Sequence, residues 1–209
     1  MKTIFIPAKI NSEINIKKFQ SLNLPKNIAI AYSIQYKEIA SKVDKILSKN
    51  HKITGIIQVL GCSRPKFSKD TQAILLVSSG KFHAVSLAAE TNLPIYIVEA
   101  DKLRKISKEE VDSFNKRKLA SYMRFLNAEK VGILVSTKPG QENLKKALSL
   151  KTKLKNKKSY LFISNNIDLR EFENFDINSW INTACPRLDF DSSVINLNNL
   201  NPSKPKNSL

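Results

Sequence analysis

The chain has 209 residues, 42% of them hydrophobic, enough for one large domain or two small ones with their own cores. No run of about 18 apolar residues occurs, which excludes a membrane-spanning helix. The opening Met1-Lys2-Thr3-Ile4-Phe5-Ile6-Pro7 lacks the long apolar core of a secretory signal, so the expected location is the cytoplasm, where thiols stay reduced.

The formal charge of +17 admits nucleic acid, an anionic surface or an acidic protein as partner. Its lysines are spread over nearly every predicted helix, however, with one denser run at 145–158 and only Tyr160 and Phe162 nearby as stacking aromatics. That distribution favours a solvated, weakly steering surface over a dedicated nucleic-acid face.

In chain order, residues 2–8 read as a short strand and 27–33 as a second strand, apolar enough to be buried on both faces. Residues 35–50 follow helical spacing, with Ile39, Val43, Ile46 and Leu47 on one side. The run 56–62 reads as a buried strand ending at Gly61-Cys62. Strand, helix and strand make a βαβ unit and predict a parallel sheet. After the polar loop 63–70 come a strand at 73–77, a Ser78-Ser79-Gly80 turn, a helix to Thr91 and a strand at 94–98. Such a strand, turn and helix offers backbone N–H groups to an anion, or simply caps the helix.

The charged stretch 101–108 is the expected domain boundary. Ser107 and Glu110 have the spacing of a capping box, opening a helix to 128 with Val111, Phe114, Leu119, Tyr122 and Phe125 inward. Then follow a strand at 130–137, a Pro139-Gly140-Gln141 turn, a basic helix at 142–155 and a strand at 159–164. A short helix at 169–175 and a strand at 180–184 lead into Cys185. The expected fold is α/β, with two similar parallel-sheet βαβ domains at 1–105 and 106–195, each with one cysteine at a strand end. Residues 196–209 are expected to form a disordered tail.

Both cysteines thus sit where a strand gives way to a loop, the edge at which open α/β sheets bind ligands. They are too far apart in sequence for a local Cys-x-x-Cys motif. Glycine is scarce, with five in the chain, yet Gly61, Gly80 and Gly140 all fall in these turns. Each is expected to meet a backbone need such as positive φ or close ligand approach.

Four ordered motifs carry a resemblance. Val59-Leu60-Gly61-Cys62, Ser79-Gly80-Lys81-Phe82-His83, Thr137-Lys138-Pro139-Gly140-Gln141 and Ala184-Cys185-Pro186-Arg187, with Phe5-Ile6-Pro7-Ala8 and Gln35-Tyr36, resemble the archaeal diphthamide synthase family (2-(3-amino-3-carboxypropyl)histidine synthase). The resemblance runs through about Asp191. It implies three similar α/β domains, each giving one cysteine to a single [4Fe–4S] cluster whose open iron binds S-adenosylmethionine. It further implies reductive Cγ–S cleavage and transfer of the 3-amino-3-carboxypropyl group to a histidine of translation elongation factor 2. Cys62 and Cys185 would be the second and third cluster ligands, on strand ends that suit thiolate ligation. The other reading of each is a buried structural cysteine.

The resemblance puts the family's first domain, with its first cysteine, ahead of the Phe5-Ile6-Pro7-Ala8 strand. The expected active form therefore includes a separate first-domain polypeptide that supplies the third cysteine. Gly80 and His83 are implied to line the cofactor site, Gln141 to contact the methionine moiety and Arg187 to pair with the substrate carboxylate. Local capping and surface ion pairing are the competing roles for these side chains. The family also implies self-association into a homo-oligomer, and no membrane partner is expected. Two alternatives stand beside this reading. One is a non-catalytic partner subunit or truncated paralogue of the family, and the other a basic RNA- or ribosome-associated α/β protein.

Overall fold

A computed structural model describes residues 4, 6, 8–10, 23–60, 65–99, 102–172, 174–188 and 194–200. The chain divides into two compact units, Met1–Phe114 and Asn115–Leu209.

In the first unit, strands β1 (Asn27–Tyr32), β2 (Lys52–Gln58), β3 (Ala73–Val77) and β4 (Ile95–Glu99) form a parallel sheet in the order β2-β1-β3-β4. Strand β5 (Lys102–Lys105) closes one edge antiparallel to β4. Central strands β1 and β3 are apolar on both faces, and Ile28, Ile30, Ile74, Leu75 and Leu76 are fully buried. Each such side chain contributes about 1.5–3 kcal/mol by leaving water. Helix α1 (Lys37–Leu47), entered through a 3-10 turn at Ile34–Tyr36, lays Ile39, Ala40, Val43 and Leu47 on this sheet. Helix α2 (Lys81–Thr91) joins β3 to β4 and buries Phe82, Ala84, Val85, Leu87 and Ala88.

The second unit repeats the order. Strands β6 (Lys130–Ser136), β7 (Lys158–Ser164), β8 (Ser179–Asn182) and β9 (Ile195–Asn196) form an all-parallel sheet ordered β7-β6-β8-β9. Val131, Ile133, Val135, Ile181 and Ile195 point to one face and pack with Phe125 and with Ala147 of helix α4 (Leu144–Lys153). The other face carries an aromatic cluster. The Phe162 ring stands edge-on to Trp180, Phe175 and Phe172, with centroids 4.7, 4.9 and 5.6 Å away.

Helix α3 (Lys108–Asn127) contains the division between the units. It opens on the reciprocal capping box expected from its sequence. Glu110 N–H donates to Ser107 Oγ at 3.2 Å, and Ser107 N–H donates to Glu110 Oε2 at 3.1 Å.

Several expectations are corrected. Strand β2 ends at Gln58 and is a sheet edge, so Ile56 is 47% exposed and the run toward Cys62 is not a buried strand. The charged stretch at 101–108 holds an edge strand, where long cationic side chains reach water while the backbone pairs with β4. Leu119 is 60% exposed, because five residues of helix rotate it about 140° from Phe114. Helix 142–155 begins at Leu144, and the expected helix at 169–175 is a 3-10 turn at Leu169–Phe172. Asn196 belongs to β9, and a 3-10 turn follows at Leu197–Asn199, so the expected tail begins in ordered structure. Residues 201–209 and most of the strand expected at 2–8 lie outside the described residues, although Ile4 and Ile6 are described and exposed.

Candidate functional site

In a sheet ordered 2-1-3-4 the chain leaves strands 1 and 3 in opposite directions, and the crevice outside their carboxyl ends takes ligands. Each unit has such a point, between β1 and β3 and between β6 and β8.

In the second unit this crevice is a cavity of about 640 Å³, within the range of small-molecule sites. Ser136 and Lys138 enter it from the end of β6, Asn165 and Asp168 from the loop after β7, and Cys185 and Arg187 from the turn after β8. Gln141 joins them from the turn before α4. The fold therefore brings Gln141, Cys185 and Arg187 together around one cavity.

The turn that bears Cys185 is held from beneath. Asn182 Nδ2 donates to the Cys185 carbonyl at 2.8 Å, and Ala184 N–H donates to Asn182 Oδ1 at 2.9 Å. Asn196 Nδ2 donates to the Pro186 carbonyl at 2.8 Å. Thr183 Oγ1 donates to the Leu134 carbonyl, and Asn143 Nδ2 to the Thr183 carbonyl, each at 2.8 Å. Cys185 itself is half-buried, and its thiol is free. On the opposite wall the Ser136 hydroxyl donates to the Asn165 carbonyl at 3.1 Å and accepts from Lys138 N–H at 3.2 Å.

The cavity is electropositive. Arg170 pairs with Asp168, and its side-chain and backbone N–H groups hold that carboxyl down to about 2. Among the described residues Lys138 and Arg187 have no ion-pair partner, which leaves two cations for an anionic ligand.

Gln141 does not lie in the first turn of α4. It precedes the helix by three residues, its N–H donates to the Lys138 carbonyl at 3.0 Å, and Glu142 Oε1 accepts from Leu144 N–H at 3.1 Å.

In the first unit, Gly80 is the residue before α2, at φ 86° and ψ 143°, a region open essentially to glycine alone. As the residue before the helix, Gly80 offers no side-chain cap of its own. Gly140 is also at positive φ, 78°, as the turn requires. His83 lies one turn into α2 with Nδ1 3.4 Å from the buried Ser78 hydroxyl, which donates to Ser33 Oγ at 3.2 Å. Cys62 and Gly61 lie outside the described residues.

Reasoning from sequence missed Asn143, Asn182 and Asn196. Their only signal was an asparagine interrupting the apolar run 180–184, and the turn and strand that the amides hold are set by long-range pairing.

A parallel α/β unit with a half-buried thiol at its switch point, beside two cations that have no ion-pair partner among the described residues, fits the class of proteins whose sites take an anionic small molecule or a thiolate-held metal centre. Within that class the chain belongs to the family of diphthamide synthesis proteins, whose model matches residues 1–195. It is 29% identical to 2-(3-amino-3-carboxypropyl)histidine synthase of Methanocaldococcus jannaschii, over 93% of this chain and 58% of that protein. It is 28% identical to the synthase of that name from Pyrococcus horikoshii, over 64% of this chain and 40% of that protein. The chain thus spans about half the length of the curated relatives it matches. Its fold is that of the crystal structure of Dph2 from P. horikoshii, with a TM-score of 0.73 at 23% identity, over 87% of this chain and 57% of that one. A second structure of that Dph2 carries a 4Fe-4S cluster.

The residues here fit one corner of such a cluster. Cys185 would supply a thiol of the kind a cluster requires, half-buried on a turn held by side-chain amides. Among the described residues no group of three or more His, Cys, Asp or Glu side chains is arranged to hold a metal. The described residues therefore do not make a complete centre by themselves.

Proposed function

We propose that this chain acts in the first step of diphthamide synthesis, transferring the 3-amino-3-carboxypropyl group of S-adenosylmethionine to a histidine of translation elongation factor 2. Cys62 and Cys185 are two ligands of a [4Fe–4S] cluster, and a first-domain polypeptide provides the third. The cluster, when bound, supplies the electron that cleaves the Cγ–S bond and an open iron site for the methionine end. Arg187 and Lys138 bind the carboxylate of that methionine end, and the Gln141 carboxamide orients it. Gly80 and His83, in the first unit, contribute to cofactor binding, His83 as a hydrogen-bonding group.

The observation that carries this reading is the Cys185 thiol beside a cavity of about 640 Å³ with two cations that lack carboxylate partners among the described residues. A basic RNA-binding surface has no need of a thiol in a cavity.

Anaerobic reconstitution with iron and sulfide tests the proposal. The chain, mixed with a first-domain polypeptide of the family, is expected to take up iron with the broad visible absorption of iron–sulfur thiolates. With S-adenosylmethionine and a reductant it should release methylthioadenosine. Cys62→Ala and Cys185→Ala should each reduce iron content, and unchanged iron in both overturns the ligand assignment. Iron uptake without methylthioadenosine release identifies a non-catalytic partner subunit. RNA binding with a steep salt dependence and no iron uptake identifies the basic RNA-associated alternative.

A further inference from the structure

Buried side-chain amides in a β-sheet carry a desolvation cost that an apolar residue of the same size avoids. Asn182 is 2% exposed and Asn196 7% exposed, and the two are register partners across β8 and β9. Asn182 Nδ2 donates to Asn196 Oδ1 at 2.6 Å, so the amides form one unit. Among the described residues, the other side-chain hydrogen bonds of that unit go to one turn: from Ala184 N–H, to the Cys185 carbonyl and to the Pro186 carbonyl. The side chains of those three residues are a methyl, a thiol and a ring, so the thiol is the turn's one reactive group.

A pair kept only to join β8 to β9 has no reason to direct its remaining bonds at three consecutive residues beyond the strand. Leucines in its place would pack the same layer.

We infer that Asn182 and Asn196 are positioning residues, a buried amide pair that sets the direction of the Cys185 thiol at the cavity. The inference rests on the proposed ligand role of Cys185 for its purpose, but its geometry and its test do not depend on a bound cluster. With the backbone of 184–186 tied at three points, the Cα–Cβ bond of Cys185 is held in one direction at the cavity. Without those ties the turn samples others, and the thiol is reached more easily by reagents in solvent.

The test uses the full chain with Cys62→Ala, which leaves Cys185 as its one thiol. The rate of alkylation by iodoacetamide is measured alongside the melting temperature. Asn196→Ala removes the tie to Pro186 and the partner of Asn182. It should raise the alkylation rate about fivefold, the change that one hydrogen bond's net worth makes in an equilibrium. The double variant Asn182→Leu/Asn196→Leu replaces both amides by apolar groups of similar shape, so it should melt close to the parent and still react faster. A double variant that melts lower and reacts at the parental rate makes the pair structural only and overturns the inference. Alkylation of Asn196→Ala at the parental rate overturns it as well. Failure of the cluster reading looks different: Cys185→Ala in the otherwise unchanged chain then keeps its iron, whatever the alkylation rates are.

Discussion

Replacing Gly132 by alanine should be among the most damaging single-methyl changes in the second unit. Gly132 lies in β6 opposite Trp180 of β8, and a Cβ built on it meets Trp180 Cε3 and Cζ3 at 2.2 Å and Cδ2 at 3.1 Å. Carbon atoms rest about 3.5–4.0 Å apart, so the ring must withdraw by roughly 1.3 Å or more. It has little room, with Phe162 and Phe172 rings at 4.7 and 5.4 Å. Overpacking of this kind costs about 1–3 kcal/mol or more, and a better strand propensity returns only about 0.5–1 kcal/mol. The net loss lowers the melting temperature of a unit this size by about 4–8 °C per kcal/mol.

Trp180 is the single tryptophan of the chain, so its fluorescence reports both the displaced ring and the melting of this unit. Gly55→Ala is the control, since its Cβ meets nothing nearer than Ile57 at 3.9 Å. Gly132→Ala with the parental emission and melting point would refute the packing argument. So would equal losses in the two variants.

Other outcomes follow from the same structure. Gly80→Ala should cost about 1–3 kcal/mol through backbone strain alone, because φ is 86° and, its chain neighbours aside, no atom of the described residues lies within 4 Å of the new methyl. An unchanged urea midpoint would contradict it. Asp168 is held at about 2, below its ordinary 3.8, by Arg170's side chain and backbone N–H, so the pair adds stability above pH 3.8 that is lost as pH falls through about 2. The melting-temperature gap between parent and Asp168→Asn should therefore close across that window and shrink in high salt, and a gap constant down to pH 2 would be the wrong result. Lys157 Nζ donates to the Leu126 and Ala128 carbonyls at 2.9 and 2.7 Å, at the C-terminal end of α3. Lys157→Met should cost about 1–2 kcal/mol and speed hydrogen exchange in that last turn, and unchanged exchange would show that the lysine does not hold it.

How far the site could be read in advance depended on the range of the interactions involved. The strands over 73–77 and 130–136, the helix from 81 to 91 and the Ser107–Glu110 capping box were legible because apolar runs, turn residues and capping spacing act within a few positions. The positive φ of Gly80 and Gly140 was legible for the same reason, in a chain so poor in glycine. The exposure of Ile56 was not, because edge or centre is a property of strand order. Nor was that of Leu119, where an apolar residue falls on the wrong side of its helix. Strand β9 is two residues long and carries no periodicity of its own, so only its pairing with β8 reveals it.

Local patterns and their order establish an α/β chain with parallel strands, one cysteine in each half and the ordered motifs of one family. Such patterns survive without any contact between distant residues. It took the folded sheets to show that Gln141, Cys185 and Arg187 share one cavity, that Lys138 and Arg187 face it without carboxylate partners among the described residues, and that two asparagines hold the cysteine turn. Those facts depend on β6 lying between β7 and β8 and on Asn182 meeting Asn196 across the sheet. Each contact joins positions whose spacing along the chain has no periodic signature, so only the closed sheet brings them together.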